Sequence, residues 1–357
     1  EFAGVGPSAM AATVLADMGA KVLRIDRPEQ VQLGAPKGAV HFNFLRRNRY
    51  DVVLDLQSPA DIARAKELMT SADVLIEGFR PGVMEKLGLG PDECFGINPA
   101  LVYARVTGWG QEGPLAKRAG HDINYLARTG VLDAIGRSGQ PPTVPVTLVG
   151  DMGAGGMFTV AGILAALLEA NRSNRGQVVD VSIVDAVSSL SMSIHGRHAS
   201  GNWRAERGTN YLDSGAPFYD TYACADGKYV AVGAIERRLF DNLMGLLDLE
   251  FSSADDHFDR RHWPRLRAAI ASRFLERSRD AWATLFSTSD CCAEPVLTFD
   301  EAANDPQLMA RKTFVDVAGV RQPSPAIRFS KTPCVFPPTP KAAGTAMTES
   351  QITNWLA

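Results

Sequence analysis

Residues 51–76 have the sequence DVVLDLQSPADIARAKELMTSADVLI, and this stretch decides the fold class. Two short apolar runs, Asp51–Leu56 and Asp73–Ile76, are typical of buried strands. Between them, Ser58 is a natural N-cap and Pro59 suits the first helical position. The apolar residues of the intervening segment share one helical face: Ile62, Ala65, Leu68 and Met69. The stretch therefore predicts a strand–helix–strand unit, which joins two parallel strands.

The same alternation extends through the first half of the chain. Apolar runs at Lys21–Ile25, Leu101–Val106 and Gln177–Ser182 predict three more strands, and helical stretches separate them. Strands that alternate with helices favour an α/β fold with a Rossmann-like parallel sheet. We expect the large domain to comprise residues 1–185 and to be completed by residues 318–357.

The second half of the chain is organised differently. The alternation stops near residue 186, and the polar, glycine-punctuated sequence that follows predicts a crossing linker over 186–213. A β-hairpin with an Asp-Gly turn and three helices are expected next, at Phe218–Tyr222, Tyr229–Val232, Arg237–Leu246, Trp263–Glu276 and Ala281–Thr288. This pattern predicts a smaller α+β domain over 214–303, followed by a return linker over 304–317.

Composition and charge exclude several classes of protein. The chain has 357 residues, of which 45% are hydrophobic and 22% are charged, and its formal net charge is −3. It is long enough to bury a core and too apolar for general disorder. The near-neutral charge provides no general field that would attract nucleic acid or an anionic membrane. The longest apolar stretch, Met157–Leu168, is too short to span a bilayer, so no transmembrane helix is expected.

The five cysteines and six histidines show neither a disulfide framework nor a metal-binding pattern. The cysteines are scattered and odd in number, which indicates free thiols in a reducing compartment, so we expect a cytoplasmic protein. Neither C-x-x-C nor H-x-x-x-H occurs, and no metal site is predicted.

A glycine-rich turn near the start of the chain is one candidate ligand site. Residues 4–9, GVGPSA, match G-x-G-x-x-A between a predicted strand end and a helix start. With Asp26 at the end of the next strand, this pattern is typical of dinucleotide binding. Two glycines would equally allow a tight turn without a ligand, and Arg27 directly after Asp26 argues against NAD. These residues alone leave both interpretations open.

Basic residues form a second candidate ligand site. They are concentrated at Lys21, Arg24, Arg27, Arg46, Arg47, Arg49, Arg80 and Lys86. Most clusters of this kind are solvated surface. Arg27 and Arg80, however, each follow the end of a predicted parallel strand, where open α/β sheets bind ligands. Their position therefore favours a polyphosphate ligand.

Three segments contain residues suited to proton transfer. In LVGDMGAGG, Asp151 precedes an apolar helix and would serve as its N-cap. The four glycines of this segment exceed what a cap requires, and their backbone N–H groups could stabilise an oxyanion. In GHDINY, His121 stands between a glycine and a carboxylate, a setting that is more often structural than catalytic. In VGAIE, Glu236 ends a predicted strand of the smaller domain.

Together, these segments resemble the α-methylacyl-CoA racemases of the class III CoA-transferase superfamily, which is the superfamily of formyl-CoA transferase. The resemblance covers essentially the whole chain. Its motifs are ADMGAKVLRIDRP (16–28), NRYDVVLDL (48–56), DVLIEGFRPGVMEKLGLG (73–90), TGWGQEGP (107–114), GHDINY (120–125), LVGDMGAGG (148–156), DGKYVAVGAIE (226–236) and EPVLTFDEAANDPQL (294–308). The elements RIDRP, FRPG, GWGQEGP and GD mark the superfamily, whereas GHDINY and VGAIE mark the racemase branch.

The resemblance implies a racemase that interconverts (R)- and (S)-2-methylacyl-CoA thioesters by 1,1-proton transfer through an enolate. It implies that His121 and Asp151 face the α-carbon from opposite sides and that Glu236 hydrogen-bonds His121. Two bases on opposite faces allow inversion. The substrate and its CoA moiety are expected near Arg27, Phe79, Arg80, Lys86, Asp122 and Tyr125. No metal or redox cofactor is implied, because CoA is part of the substrate.

The resemblance also implies an interlocked homodimer. Each chain would thread through the other, and the linker over 186–213 would make the crossing. The active site would then lie between the large domain of one subunit and the small domain of its partner. Neither nucleic acid nor a membrane is expected as a partner.

Three alternative functions remain. In the transferase branch, the aspartate equivalent to Asp151 is a covalent nucleophile, which a glycine-rich loop of the small domain covers. This chain lacks a Gly-Gly-Gly-Gly loop there and has His121 where transferases lack a histidine, so the racemase is favoured. An NAD-dependent oxidoreductase, based on residues 4–9 and Asp26, is less favoured. A CoA-binding scaffold without catalytic activity is the non-enzymatic alternative.

Overall fold

The computed structural model describes residues 1–28, 42–252, 256–317, 319–334, 347–348 and 350–352. These residues pack into two compact units. Unit 1 comprises Glu1–Thr129, Pro145–Leu190 and Pro306–Ala357, and unit 2 comprises Gly130–Val144 and Ser191–Asp305, as far as these ranges are described. The predicted domain limits stay a prediction.

Strands and helices follow the sequence pattern closely. The strands are Val22–Asp26 (β1), Arg49–Val53 (β2), Val74–Glu77 (β3), Val102–Thr107 (β4), Val178–Ser182 (β5), Tyr219–Ala223 (β6), Tyr229–Gly233 (β7), Ala293–Pro295 (β8), Phe314–Val317 (β9) and Val320–Pro323 (β10). The helices are Pro7–Asp17 (α1), Pro59–Met69 (α2), Val83–Lys86 (α3), Pro91–Ile97 (α4), Asp122–Arg128 (α5), Val131–Ala134 (α6), Met157–Ser173 (α7), Ile183–Leu190 (α8), Met192–Ala199 (α9), Arg237–Leu246 (α10), Trp263–Phe274 (α11), Arg279–Phe286 (α12), Phe299–Ala302 (α13) and Pro306–Ala310 (α14). A 3-10 turn lies at Phe44–Arg46 and a π-helical segment at Leu148–Gly156.

Unit 1, as far as it is described, contains two sets of parallel strands and one antiparallel pair, β9 with β10. β1 pairs with β2, and β4 lies between β3 and β5 in a second parallel set. Phe2 connects the two sets, because its amide donates to the Ile76 carbonyl (2.9 Å) while the amide of Ala3 donates to the Ile25 carbonyl (2.8 Å). β4 is buried at every position, as expected of a central strand. The predicted mixed α/β class with parallel sheets is confirmed.

Helix α2 forms because its sequence supplies an N-cap, a proline in the first turn and an apolar face. The Ser58 hydroxyl accepts a hydrogen bond from the Asp61 amide (3.5 Å), and Pro59 occupies the first turn. One face packs into the core that includes Leu75, through Ala65, Leu68 and Met69. Burying a side chain such as Leu68 contributes about 1.5–3 kcal/mol. The predicted N-cap and apolar face are both confirmed.

The helix that carries Asp151 begins earlier than expected. It starts at Leu148 in π-helical geometry and continues as α7 from Met157. Asp151 therefore lies within the first turn, and the expectation that it is the N-cap is wrong, because Thr147 occupies that position. A π-helical turn contains an additional residue, and such turns are frequent at functional sites.

The glycines of this π-helical segment allow close packing against α1. A Cβ on Gly155 would lie 2.7 Å from a side-chain carbon of Pro7, and a Cβ on Gly156 would lie 2.8 Å from one of Met10. Real Cβ atoms do not approach so closely, so the two glycines permit the contact between the helices. Helix packing therefore accounts for part of the glycine content.

The stretch Leu148–Ser173 is the one helix among the described residues that is long and apolar enough to cross a membrane, with a mean hydropathy of 1.6. A core helix can meet the same criteria of length and composition. Here Val160, Ile163 and Ala166 are buried in a cluster with residues of α1 and β4. The stretch is weak evidence for a membrane, and the absence of a transmembrane helix stays a prediction.

Unit 2 contains an antiparallel sheet in the order β6-β7-β8. The β6–β7 hairpin turns at Asp226 and Gly227, and Gly227 has the positive φ (74°) that favours glycine. The core is aromatic and includes the fully buried Phe218, Phe240 and Phe274. The predicted hairpin and the three predicted helices, α10 to α12, are confirmed.

The segment predicted as an irregular linker is partly helical. α8 and α9 together extend from Ile183 to Ala199, and no helix or strand lies between Ala199 and Asp213. α8 forms because one face buries Ile183, Ala186 and Val187. α9 has no buried residue, so its polar sequence lacks the periodicity that would have predicted it.

Candidate active site

A cavity of about 520 Å³ opens in unit 1 at the carboxyl ends of the parallel strands. Its lining comes from the segments that follow β1, β3 and β4 and from the starts of α1 and α5, and all of it belongs to unit 1. This is the edge at which open α/β sheets bind ligands. Arg27 and Arg80, which each follow a strand, both lie at this edge.

Six predicted site residues line the cavity: Arg27, Phe79, Arg80, His121, Tyr125 and Asp151. Asp122 is buried directly after His121, and Lys86 lies on α3 without contributing to the lining. Glu236 belongs to unit 2, where it is the N-cap residue of α10. The hydrogen bond from Glu236 to His121 stays a prediction.

The loop after β3 is positioned by a buried carboxylate. Glu77, fully buried at the end of β3, accepts a hydrogen bond from the Phe79 amide (2.7 Å). Arg105 on β4 pairs with Glu77 (3.0 Å) and with Glu85 (2.8 Å). Burial raises the pKa of Glu77, and the Phe79 amide and Arg105 oppose that rise. The arrangement fixes the backbone from which Phe79 and Arg80 reach the cavity.

Sequence analysis missed Glu77 and Arg105. The available signal was a charged residue within each of two apolar strands, since buried charges are rare unless they are paired. The pairing itself depends on the register of β3 and β4, which places Glu77 beside Arg105.

Part of the lining belongs to an ion-pair network that we call the guanidinium cluster: Arg24, Asp26, Arg46 and Asp51. Arg24 lies 2.6 Å from Asp26, and Arg46 lies 3.0 Å from Asp51. Asp26 also accepts the amide of Arg27 (3.0 Å). Because donors of the protein already occupy Asp26, it is poorly suited to bind the ribose of a dinucleotide.

Three other guanidinium groups line the cavity, those of Arg27, Arg80 and Arg118. None of the three forms an ion pair with a residue in the described ranges. Arginine binds phosphate through paired N–H donors, so these groups are suited to an anionic ligand. Sequence analysis missed Arg118, because basic residues in a loop have no periodic pattern.

Asp151 lies against the turn that opens α1. A Cβ on Gly6 would be 2.9 Å from the Asp151 Oδ2, and Gly6 has a φ of +63°, so only glycine fits this position without strain. The Asp151 amide donates to Asp122 Oδ1 (2.7 Å). The pKa of Asp151 is raised to about 6, first by burial and then by the charge of Asp122, while His121 opposes the rise. Asp151 can therefore exchange a proton near neutral pH.

The first turn of α5 carries His121 and Tyr125. His121 is the exposed N-cap residue of this helix. The hydroxyl of the buried Tyr125 donates to the Gly120 carbonyl (2.5 Å), and its ring packs edge-on against Trp109 with the centroids 4.8 Å apart. Burial raises the pKa of Tyr125 to about 12, so the hydroxyl keeps its proton at neutral pH. Tyr125 thus holds the backbone that leads into His121.

The cavity combines proton-transfer groups with anion-binding groups. A carboxylate whose pKa is about 6 and an imidazole can each accept and return a proton. Among the described residues, no three or more His, Cys, Asp or Glu side chains are grouped as metal ligands, and the five cysteines are free. The arrangement is suited to proton transfer on a substrate that carries phosphate.

Comparisons with known proteins show the family of this chain. The model of CoA-transferase family III matches residues 1–345. The chain is 42% identical to the α-methylacyl-CoA racemase of Mus musculus and 39% identical to that of Homo sapiens, in each case over 94% of this chain and 86% of the relative. The crystal structure of a CaiB/BaiF family protein from Brucella suis has a TM-score of 0.83 at 25% identity, and the match covers 100% of this chain and 97% of that chain. The chain therefore belongs to CoA-transferase family III.

Proposed function

We propose that this protein is a racemase that interconverts (R)- and (S)-2-methylacyl-CoA thioesters by 1,1-proton transfer through an enolate. The observation that carries the proposal is that Asp151, with its pKa near 6, and His121 line one cavity together with the guanidinium groups of Arg27, Arg80 and Arg118, which form no ion pair within the described part of the chain. Two relatives that are 39–42% identical and are named α-methylacyl-CoA racemase support it.

In the proposed reaction, one base removes the α-proton and the electron pair of the broken C–H bond moves to the thioester oxygen. The other base, which begins in its protonated form, returns a proton to the opposite face of the enolate and inverts the centre. His121 and Asp151 exchange these roles with the direction of the reaction. The raised pKa suits Asp151 to both roles, because it must hold a proton as well as remove one.

The enolate oxygen requires donors where the negative charge develops. Backbone N–H groups of the π-helical segment that carries Asp151 are the proposed donors. Glu236 is proposed to hydrogen-bond the His121 imidazole and so to orient it. No metal or redox cofactor is proposed, because the thioester carbonyl acidifies the α-proton and the reaction transfers no net electrons.

The CoA moiety is proposed to lie against Arg27, Phe79 and Arg80, with Lys86 nearby on α3. Guanidinium groups suit the diphosphate, and the Phe79 ring suits an aromatic base. Asp122 and Tyr125 are proposed to act near the acyl end, since they adjoin Asp151 and His121.

We also propose an interlocked homodimer with a Rossmann-like large domain, located in the cytoplasm and without a nucleic-acid or membrane partner. The family resemblance supports the dimer and the Rossmann-like domain. The five free thiols support the cytoplasmic location. Sedimentation and activity should be measured together during dilution to nanomolar concentration. A fully active monomer would contradict the dimer.

The racemase proposal is tested with an enantiopure 2-methylacyl-CoA in deuterated water. We expect deuterium to enter the α-position and the opposite enantiomer to accumulate, without an acceptor acid or nicotinamide. A protein that binds the CoA ester but neither exchanges the α-proton nor transfers CoA would be a scaffold. A reaction that required nicotinamide would indicate an oxidoreductase.

A second candidate function is CoA transfer, which the family as a whole favours. Asp151 would then attack the thioester carbonyl, release the CoA thiolate and form an acyl-aspartyl anhydride. Addition of a carboxylate acceptor and trapping with hydroxylamine would detect this intermediate. His121→Ala separates the two functions, because it should abolish inversion and have little effect on transfer.

A further inference from the structure

Asp122 is a buried carboxylate that is only half satisfied. Its side chain lies beneath Asp151, and the residue is 2% exposed. Its Oδ1 accepts the Asp151 amide (2.7 Å), whereas its buried Oδ2 has no hydrogen-bond partner among the residues that the structure describes. A Cβ on Gly150 would lie 2.5 Å from the Oδ1, so the glycine admits the carboxylate at this point. Leaving a buried acceptor unpaired costs about 1–3 kcal/mol, and more when the group is charged.

No arginine or lysine compensates Asp122 in the part of the chain that the structure describes. The titratable or charged residues of the elements packed around Asp151 are His121, Tyr125 and Arg128 near or on α5, Asp17 on α1, Glu169 and Arg172 on α7, and Asp185 on α8. Asp17 pairs with Arg47, and Asp185 accepts the Ser182 hydroxyl (2.5 Å). Negative charge therefore accumulates at Asp122 and Asp151.

We propose that Asp122 and Tyr125, on one turn of α5, are separate positioning residues for the two bases. Asp122 fixes the Asp151 backbone through one oxygen and places an uncompensated charge behind the Asp151 carboxylate. Tyr125 fixes the Gly120 carbonyl and thereby the approach of His121. This inference rests on the proposed racemase function. Sequence analysis expected Asp122 and Tyr125 to contact the substrate, and we propose instead that they act through the two bases.

The two positioning residues should act in different ways. Asp122 works through charge as well as geometry, so it should influence the pH at which Asp151 gains its proton. Tyr125 keeps its proton at neutral pH and works through geometry alone, because its hydroxyl is a neutral donor. A small displacement of a base lowers the rate strongly without altering the pH dependence.

Asp122→Asn and Tyr125→Phe separate these two effects. Asparagine keeps an oxygen that accepts the Asp151 amide and removes the charge. In the direction in which Asp151 removes the α-proton, the acidic limb of the pH profile of kcat/KM should therefore move to lower pH. The shift should be only part of the rise from 3.8 to about 6, because burial is the larger cause and remains. Tyr125→Phe should lower kcat by about tenfold and leave the acidic limb in place.

Two further variants serve as controls. Asp122→Glu retains the charge but misplaces it, so it should lower kcat and keep the acidic limb near its original pH. It also keeps the charge assignment testable if Asp122→Asn fails to fold. Asp92→Asn, at the exposed start of α4, removes one carboxylate away from the cavity and should leave both quantities unchanged.

The Asp151 carboxyl should also be titrated directly by carbon NMR in the wild type and in Asp122→Asn. This measurement does not require activity, so it distinguishes a failure of this inference from a failure of the racemase function. We expect a lower Asp151 pKa in the variant. The proposal would be wrong if Asp122→Asn left both the Asp151 pKa and the acidic limb unchanged. It would also be wrong if Tyr125→Phe moved the acidic limb as far as Asp122→Asn does.

Discussion

Two groups of aspartates adjoin the cavity in contrasting ways. In the guanidinium cluster, Asp26 and Asp51 each lie within 3.7 Å of both Arg24 and Arg46. We call Asp122 and Asp151 the carboxylate pair, and neither forms an ion pair with a described residue. His121 lowers the pKa of Asp151, whereas burial and Asp122 raise it. Compensated carboxylates hold cations in place for binding, whereas uncompensated carboxylates can change protonation during a reaction.

The largest expected effect concerns the carboxylate pair. Asp151→Asn and His121→Ala should each lower the rate of net inversion by about 10³-fold, because every inversion needs one base to remove a proton and the other to return one. His121→Ala should retain deuterium exchange, without inversion, for the enantiomer whose α-proton faces Asp151, and Asp151→Asn should retain it for the other. Glu236→Gln should be milder than either. Enantiomer-resolved NMR measures these rates, and equal residual exchange of both enantiomers would contradict the two-base assignment.

A smaller effect is expected from the arginines that line the cavity outside the guanidinium cluster. Arg27→Ala and Arg80→Ala should each raise KM by about tenfold with kcat nearly unchanged. The physical reason is that a phosphate contact is equally strong in the ground state and the transition state. Arg311→Ala, an exposed arginine outside the cavity lining, is the matched control. Wild-type affinity for CoA in both site variants would place the CoA elsewhere.

In the direction of the reaction in which Asp151 removes the α-proton, the acidic limb of the pH profile should reflect the carboxylate pair. Since the pKa of Asp151 is raised to about 6, kcat/KM should fall below this pH as the group that must remove a proton becomes protonated. The rate at pH 5 should be about tenfold lower than the plateau. Asp26→Asn should raise KM but leave this limb in place. If the acidic limb of the kcat/KM profile also moved in Asp26→Asn, the guanidinium cluster and the carboxylate pair would not differ in the way that we describe.

The smallest expected effect is on stability, and the same substitution should have opposite signs in the two groups. A carboxylate whose pKa is raised on folding destabilises the folded state above that pKa and has no such effect below its unfolded value. Asp151→Asn should therefore stabilise the protein by about 1 kcal/mol at pH 7.5, allowing for partial exposure. The gain should vanish below about pH 3.8.

Asp26→Asn should instead destabilise the protein at pH 7.5, because it leaves Arg24 and Arg46 with one carboxylate between them. We expect a loss of about 1 kcal/mol, because both arginines keep Asp51 as a partner. Thermal midpoints at pH 7.5 and pH 3.5 measure both variants, and a shift of the same sign in both at pH 7.5 would contradict the comparison.

The regular elements could be predicted because each leaves a local pattern in the sequence. Strands β1 to β7 and the N-cap at Ser58 depend on neighbouring residues, and the predicted ends of these strands differ from the structure by no more than three residues. Strands β8, β9 and β10 were not predicted. The π-helical segment could not be predicted, since the glycines that permit it respond to Pro7 and Met10 on a distant helix. α9 was missed because it buries no apolar face.

The residues of the site were predictable to different degrees. His121 and Asp151 could be singled out because their motifs carry suitable groups, and Arg27 and Arg80 because they follow strand ends. Glu77 and Arg105 could not be paired in advance, since their contact depends on strand register. The interaction of Asp122 with the Asp151 amide joins residues 29 positions apart and depends on tertiary packing.

The contact between Gly6 and Asp151 has a consequence for how glycine motifs are interpreted. In a dinucleotide-binding protein, such a turn gives a bound diphosphate access to the backbone. Here the space is taken by the oxygen of an aspartate from the same chain. The turn thus accommodates the Asp151 carboxylate in the place of a bound diphosphate. The sequence motif G-x-G-x-x-A is the same in both cases. A scan that assigns redox enzymes from this motif alone would therefore include this chain, in which the glycine turn accommodates the chain's own carboxylate.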